Sequence, residues 1–164
     1  MGQRTSLRLE SADERTTKAI GAELARLLRP GDVVGLTGDL GAGKTRFVQG
    51  AAAALGVDGP VVSPTFMLLR EYDSDPPVHH VDAYRLSGPA ELEDIGLDEV
   101  FAREAVVFVE WADQVEGALP ESWLEVALWT RQDETRVLEI TPHGPRWSGR
   151  ELDRLGAALA GYAA

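Results

Sequence analysis

Hydrophobic and polar positions follow two different periodicities along this 164-residue chain. After Ser11, apolar side chains recur at intervals that place them on one stripe of an amphipathic helix, namely Ile20, Leu24, Leu27 and Leu28. Other apolar runs are short and rich in valine, which is typical of buried strands. These predicted strands cover residues 32–37, 61–69, 78–82 and 105–109.

Capping and helix-breaking residues set the predicted helix boundaries. Ser11 and Glu14 have the spacing of a capping box, and Pro30-Gly31 predicts the end of the first helix. Ser148 is expected to cap the last helix, which extends to about Tyr162. The predicted helices after the first one cover residues 46–55, 89–94, 97–101 and 148–162.

Two runs near the C-terminus predict an antiparallel hairpin. They cover residues 123–130 and 135–141 and flank the polar segment 131–134. Upstream of them, strands and helices alternate, which predicts the α/β class with a mostly parallel central sheet flanked by helices. No repeat or low-complexity linker interrupts the pattern, so residues 1–164 are interpreted as one domain.

One loop of this pattern matches a phosphate-binding motif. Residues 38–45 read G-D-L-G-A-G-K-T, between the strand at 32–37 and the helix at 46–55. Glycines in such a loop let successive backbone N–H groups point at a phosphate, and the helix N-terminus adds partial positive charge. We expect the whole loop to contact nucleotide, that is Gly38, Asp39, Leu40, Gly41, Ala42, Gly43, Lys44 and Thr45.

The last two residues of this loop have defined roles in a P-loop. Lys44 is expected to reach the β- and γ-phosphates, and the Thr45 hydroxyl to bind Mg²⁺. The alternative is a glycine-rich turn that binds nothing, and a chance match is expected on the order of once in five hundred chains of this composition. The motif therefore predicts a P-loop NTPase fold with three layers.

Acidic residues at the ends of neighbouring strands are candidates for the rest of the site, because Mg²⁺ prefers hard oxygen ligands. Glu110 directly follows an apolar run in a Walker-B-like pattern, and it is expected to hold the Mg²⁺ hydration shell or orient the attacking water. Asp82 shares a strand face with His80, and an aspartate there can bind Mg²⁺ through water. For each acid the alternative is a polar strand end without a ligand.

Two further residues lie close to these acids in sequence. Thr65 belongs to the loop Ser63-Pro64-Thr65, where a threonine can sense the γ-phosphate of a nucleotide. An ordinary proline turn fits that loop equally well. Trp111 follows Glu110 directly, and an aromatic residue in this place is more often involved in packing than in chemistry.

Composition narrows the class of function. The formal net charge is −11, so the chain by itself is expected to bind nucleic acid poorly. It contains no cysteine for a disulfide, no run of 18 apolar residues for a membrane span and no apolar signal core, which together favour the cytoplasm. It also contains no asparagine, so the guanine-reading N-K-x-D element of GTPases is absent and an adenine nucleotide is favoured.

Four segments occur in order along the chain: G-D-L-G-A-G-K-T, S-P-T-F, H-V-D-A-Y-R and V-E-W. Together, over roughly residues 11–140, they closely resemble the TsaE (YjeE) family of small P-loop ATPases in bacterial tRNA threonylcarbamoyladenosine (t6A) synthesis. The resemblance implies a subunit that binds ATP and Mg²⁺ and hydrolyses ATP slowly. It also implies that the subunit acts with TsaD and TsaB on the adenosine next to the anticodon, meeting tRNA indirectly through that complex.

The resemblance assigns the central chemistry to four residues. It implies that Lys44 holds the phosphates and that Thr45 ligates Mg²⁺. Asp82 and Glu110 would lie at the metal and the reacting water, and both are linked to ATPase activity in the family.

It also implies supporting roles at the margin of the site. Thr65 resembles a switch threonine, and Trp111 would lie beside the active site. Glu14 would approach the adenine side of the nucleotide. The family's nucleotide site also uses a late loop, here residues 131–134, to which no specific residue is assigned.

Two other functions fit the same P-loop. A small-molecule kinase needs an acceptor pocket and a closing lid with arginines, and the sequence shows no arginine-rich lid, although residues 82–85 offer an acceptor site. A nucleotide-dependent interaction module needs only a different affinity for its partner in the ATP and ADP states, without useful turnover.

Overall fold

The computed structural model describes residues 6–39, 41–64, 69–84, 96, 99, 101 and 104–164. Its strands are β1 (Leu7–Ser11), β2 (Val33–Thr37), β3 (Leu69–Tyr72), β4 (Val78–Asp82), β5 (Val106–Glu110), β6 (Trp123–Thr130) and β7 (Arg136–His143). The α-helices that lie wholly within these ranges are α1 (Glu14–Ala25), α2 (Lys44–Ala54) and α3 (Arg150–Leu159), and short 3₁₀ turns cover Ala112–Gln114, Glu116–Ala118, Pro145–Trp147 and Ala160–Tyr162. Across these ranges, no helix has the length and hydropathy needed to cross a bilayer.

The strands form one mixed sheet in the order β1-β7-β6-β2-β5-β4-β3. Its centre is parallel, because β2 pairs in parallel with both β5 and β6, and β4 pairs in parallel with β5. Both edges are antiparallel, with β3 on β4 at one side and β6, β7 and β1 at the other. The α/β class and the late hairpin are confirmed, with parallel pairing concentrated in the centre of the sheet.

Both faces of the sheet are covered, which explains the continuous apolar runs in β2 and β5. Helices α1, α2 and α3 cover the larger core on one face, which includes Leu36, Phe47 and Phe108. The opposite face carries a smaller cluster around Val109 and Trp123. There, the described residues contribute the two 3₁₀ turns that follow β5.

Helix α1 begins later than the predicted capping box. Asp13 is its N-cap, and the Asp13 carboxylate accepts a hydrogen bond from the backbone N–H of Thr16 at 2.8 Å. Ser11 is the last residue of β1, and its buried hydroxyl donates to the Asp13 carbonyl at 2.8 Å. The Ser11 prediction is wrong because the strand continues through this residue, and aspartate two positions later is an equally good cap.

The run at 61–69 is only partly a strand. Residues 61–64 have no strand pairing, and β3 begins at Leu69, while residues 65–68 lie outside the described part. Ser63-Pro64 explains the difference, because proline lacks the N–H that a ladder needs. The helix predicted at 89–94 lies outside the described residues, as does most of the one at 97–101, of which Glu99 and Phe101 are helical.

The start of the last helix also differs from its prediction. Helix α3 follows Gly149, and the Ser148 hydroxyl donates to the Pro145 carbonyl at 2.7 Å instead of capping the helix. The 3₁₀ turn before it uses that hydroxyl, which is why Ser148 is not the cap. Leu155 and Leu159 of this helix are buried in the larger core.

The C-terminal region is fastened to the rest of the fold by polar contacts. The Arg146 guanidinium donates to both carboxylate oxygens of Asp32, at 3.0 and 3.1 Å, and to the Leu27 carbonyl at 3.2 Å. Asp32 directly precedes β2, so this contact joins the C-terminal region to the central strand. At the last residue, the Ala164 N–H donates to the Arg8 carbonyl of β1 at 3.0 Å.

Helices α1 and α2 pack with their backbones in contact. A Cβ atom on Gly21 would overlap the Phe47 carbonyl, and one on Gly50 would overlap the backbone of Lys18. Glycine at both positions therefore lets α2 lie directly against α1. This contact fixes the place of α2, whose first residues belong to the P-loop motif.

We expect Gly50→Ala to lower the free energy of unfolding by about 1–3 kcal/mol, because overpacking forces the two helices apart. The matched control is Gly156→Ala in α3, where a Cβ would meet only the Leu7 side chain at 4.0 Å. There, alanine is expected to stabilise the helix by about 0.5–1 kcal/mol. Urea unfolding measures both variants, and a stabilising effect at both positions would contradict the backbone contact.

Candidate nucleotide-binding site

The loop between β2 and α2 has a backbone path that requires glycine. Gly38, Gly41 and Gly43 have φ angles of 136°, 80° and 110°, which L side chains rarely adopt. In addition, a Cβ atom on Gly38 would overlap the Leu128 carbonyl of β6. The loop therefore lies between the carboxyl end of β2 and the N-terminus of α2, which is the place where a helix binds anions.

Lys44, the first residue of α2, is held inside this loop. Its side chain is 5% exposed, and its Nζ donates to the carbonyls of Gly38 at 2.5 Å and Asp39 at 2.9 Å. The ammonium group also lies 4.1 Å from the centre of the Trp111 ring, a cation–π contact. Burial lowers the pKa of Lys44, and the nearby carboxylate of Glu110 opposes that change.

Thr45 and Glu110 are brought together across α2 and β5. The Thr45 hydroxyl donates to Glu110, 3.0 Å from Oε1 and 3.2 Å from Oε2. Glu110 is 3% exposed, and its Oε2 lies 2.5 Å from Nε2 of His80. In the parallel register Asp82 of β4 is the partner of Glu110, so His80, Asp82 and Glu110 lie on one face, as the spacing of His80 and Asp82 predicts.

Asp82 has different partners from Glu110. Its Oδ2 accepts from the Ser63 hydroxyl at 2.7 Å, and its Oδ1 accepts from the Tyr84 backbone N–H at 3.0 Å. Asp82 thus fastens the start of the predicted switch loop to the end of β4. Thr65 of that loop and Leu40 of the P-loop lie outside the described residues.

Trp111 contacts both the core and the candidate site. Its φ and ψ of 60° and 40° are left-handed, which is uncommon for a residue other than glycine and turns the chain directly after Glu110. Its ring packs against the smaller core cluster and lies 4.8 Å from the Tyr84 ring, centre to centre. Tyr84 is 50% exposed, so this aromatic pair connects the lysine to the protein surface.

Glu14 is connected to the candidate site by an ion pair with a residue of α2. Its carboxylate is 3.2 Å from Nε of Arg46, which is in the first turn of α2 directly after Thr45. Both side chains are largely exposed, so this ion pair is worth only about 0–1 kcal/mol. It does place Glu14 beside the start of α2, while a contact with adenine stays a prediction.

Sequence reasoning missed Arg136, which follows the predicted 131–134 loop. Its Nη2 is 3.4 Å from the Gly41 carbonyl, and its Cδ would be 3.3 Å from a Cβ on Gly43. Its Nε is buried and has no hydrogen-bond partner among the described residues. Because β6 runs parallel to β2, the β6–β7 loop lies at the same sheet edge as the P-loop, and the first residue of β7 reaches it.

The arginine of the predicted 131–134 loop contacts a different part of the protein. Arg131 pairs with Glu10 of β1 at 2.5 Å, and no described contact joins it to the P-loop. The only sequence signal for Arg136 was its closeness to the predicted hairpin loop, and the strand register needed to place it is a tertiary property.

The buried strand β2, the glycine loop and a helix that begins with Lys44 and Thr45 lie beside Glu110, the acid that ends the neighbouring strand β5. These elements define a P-loop NTPase of the α/β class. A family model described as Threonylcarbamoyl adenosine biosynthesis protein TsaE matches residues 11–138. The chain therefore belongs to the TsaE family, and the resemblance of its four motifs is confirmed.

Individual relatives agree with this assignment. Proteins named tRNA threonylcarbamoyladenosine biosynthesis protein TsaE from Bacillus subtilis and Streptomyces coelicolor are both 42% identical to the chain, over 142 and 146 residues. These alignments cover 86% and 84% of this chain and 89% and 98% of the relatives. The crystal structure of YdiB from Bacillus subtilis matches with a TM-score of 0.81 and 34% identity, covering 98% of this chain and 97% of that one.

We expect Ser63→Ala to release residues 61–64 from β4, because the variant loses the hydroxyl that donates to Asp82. Losing this hydrogen bond should cost about 0.5–1.5 kcal/mol locally. Hydrogen exchange measured by mass spectrometry should then be faster in a peptide that covers 61–64. Ser74→Ala, which removes a hydroxyl contact with the Pro76 carbonyl in another turn, is the control and should leave that peptide unchanged. Unchanged exchange in Ser63→Ala would contradict the fastening role of Asp82.

Proposed function

We propose that this protein is a Mg²⁺-dependent ATPase subunit that hydrolyses ATP slowly and acts with TsaD and TsaB in tRNA t6A modification. The observation that carries the proposal is the arrangement of Lys44, Thr45 and Glu110. A buried ammonium group lies at the start of α2, and the adjacent hydroxyl is 3.0 Å from a carboxylate oxygen. The cation suits the phosphates, the hydroxyl suits the metal and the carboxylate suits the reacting water.

The phosphate subsite is the loop 38–45. Lys44 would neutralise charge on the β- and γ-phosphates, and the N-terminus of α2 adds to this charge. Arg136 supplies a second cation beside Gly41 and Gly43. On a chain with a net charge of −11, such local cations are needed to offset the repulsion of a polyanionic ligand.

The oxygens at Thr45 and Glu110 fit a Mg²⁺ ion. Mg²⁺ is commonly held by one or two protein oxygens, several waters and the phosphates of the substrate. Among the described residues, no group of three or more acidic or histidine side chains is arranged to hold a metal by itself. Asp82 ends β4, the strand beside β5, and we assign to it a water-mediated contact with the metal. When bound, the ion would neutralise developing charge on the phosphates.

The other side chains position the reactants. Glu110 is placed to orient the attacking water, and the Trp111 ring shields the lysine from solvent at 4.1 Å. Thr65 is assigned to sensing the γ-phosphate, and Glu14 to the adenine side. The roles of Thr65 and Glu14 are those that the resemblance to the family implies, and the role of Trp111 is argued from its contact with Lys44.

The tRNA step belongs to the complex more than to this chain. The relatives carry names of tRNA t6A biosynthesis, and this chain shares their fold and the motifs of their family. Its acidic charge disfavours direct binding to a phosphate backbone. We therefore assign tRNA contact to the partners, in the cytoplasm, with ATP turnover in this subunit controlling the complex.

Lys44→Ala should weaken ATP binding by about 10–100-fold, since hydrogen bonds to charged groups contribute about 1.5–3 kcal/mol. Isothermal titration with ATP and Mg²⁺ measures this affinity. Lys18→Ala is the matched control, because Lys18 is the only other lysine of the chain and its side chain is exposed on α1. Equal affinity in wild type and Lys44→Ala would rule out the proposed site.

Glu110→Gln should retain ATP binding while its hydrolysis rate falls about 100-fold or more, because the amide cannot act as a base towards water. Release of phosphate, with and without TsaD, TsaB and substrate tRNA, gives the rate. Glu116→Gln changes an exposed glutamate of the following turn and should behave as wild type.

Two further measurements, of t6A formation in the complete reaction and of phosphate transfer to metabolites, could count against the proposal. If Glu110→Gln supported full t6A formation, nucleotide binding without hydrolysis would suffice. If the chain alone phosphorylated a metabolite, it would be a kinase.

A further inference from the structure

We infer that His80 is a positioning residue that fixes the carboxylate of Glu110 for ATP hydrolysis. The inference rests on the proposed function, because it concerns how Glu110 performs its role there. Its main observation is the 2.5 Å distance between Nε2 of His80 and Oε2 of Glu110. His80 is 0% exposed and Glu110 is 3% exposed, so water does not compete for this hydrogen bond.

The parallel pairing of β4 and β5 builds this contact. Asp82 is the partner of Glu110, and His80 is the partner of Phe108, two residues earlier on each strand. All four side chains lie on the face that α2 covers. The histidine thus reaches the carboxylate from a fully buried position in the interior of the protein.

The other ring nitrogen indicates which group donates. Nδ1 of His80 is buried and has no hydrogen-bond partner in the part of the chain that the structure describes. A proton on Nδ1 would be an unsatisfied buried donor, which is unfavourable, and a neutral imidazole carries one N–H. We therefore place the proton on Nε2, from which His80 donates to Glu110.

The two carboxylate oxygens of Glu110 then have different tasks. Oε2 is held by His80, while Oε1 is the oxygen nearer to the Thr45 hydroxyl, at 3.0 Å. If that hydroxyl turns to Mg²⁺, as proposed above, Glu110 loses its contact with Thr45. His80 is then the described partner that keeps the long glutamate side chain from rotating, with Oε1 directed at the reacting water.

The experiment compares two substitutions of His80 with one of its neighbour. His80→Leu removes the donor, and His80→Gln restores an N–H at about the reach of Nε2. His79→Gln is the matched control, because His79 is buried on the opposite face of the same strand. For each variant, thermal unfolding, the Kd of ATP·Mg²⁺ and the kcat of hydrolysis are measured.

A positioning role predicts a split between binding and turnover. In His80→Leu, kcat should fall about 10–100-fold, as is typical when a partner that orients a ligand is removed, while Kd stays within about threefold of wild type. His80→Gln should recover most of the rate, and His79→Gln should keep the wild-type rate. The inference is overturned if kcat in His80→Leu equals that of wild type, or if the folded variant loses affinity for ATP·Mg²⁺ by as large a factor as it loses kcat.

A nuclear magnetic resonance measurement tests the contact without turnover. The ¹⁵N shifts of His80 in the wild-type protein should show a proton on Nε2 and none on Nδ1, and Glu110→Gln should move the Nε2 proton resonance. A bare Nε2, or a resonance that ignores Glu110→Gln, overturns the inference even if His80→Leu does not fold. If the wild-type protein neither binds nor hydrolyses ATP, both the proposed function and this inference are wrong. If His80→Leu hydrolyses ATP at the wild-type rate, only the inference is wrong.

Discussion

Three central strands, β2, β5 and β4, pair in parallel, and their carboxyl ends meet at one edge of the sheet. The P-loop follows the first of these strands, Glu110 ends the second and Asp82 ends the third. The site therefore depends on pairing register, because a slip by one residue would turn Glu110 and His80 to the opposite face. The close packing of α1 on α2 adds a second restraint, since it holds the start of α2 above that edge.

The same edge of the sheet carries positively charged side chains, although the protein as a whole is acidic. The chain carries a net charge of −11, yet Lys44 is buried there and Arg136 lies against the loop. Burial lowers the pKa of Lys44, and the nearby carboxylate of Glu110 opposes that change. Two cations thus lie beside the glycine loop of a chain whose net charge disfavours polyanions.

Local pattern predicted the α/β class, the hairpin, the P-loop and the positions of Asp82 and Glu110 at strand ends, because each depends on the order of residues along the chain. It failed where two local signals competed, as at Ser11, where a capping pattern overlapped the end of a strand. It also failed where a contact needs the strand register. The position of Arg136 beside Gly41 and the bond from His80 to Glu110 both follow from strands that meet only in the folded protein.

The hydrogen bond from Ala164 to Arg8 bears on how the sheet ends. Strand β1 is one edge of the sheet, and the last residues of the chain occupy part of its hydrogen-bonding side. The other edge, β3, is four residues long and carries the exposed charges of Arg70 and Glu71. Short, charged or covered edges discourage strand addition by another molecule. Both edges of the sheet are therefore protected against strand addition, and removing Ala163 and Ala164 would take that protection away from β1.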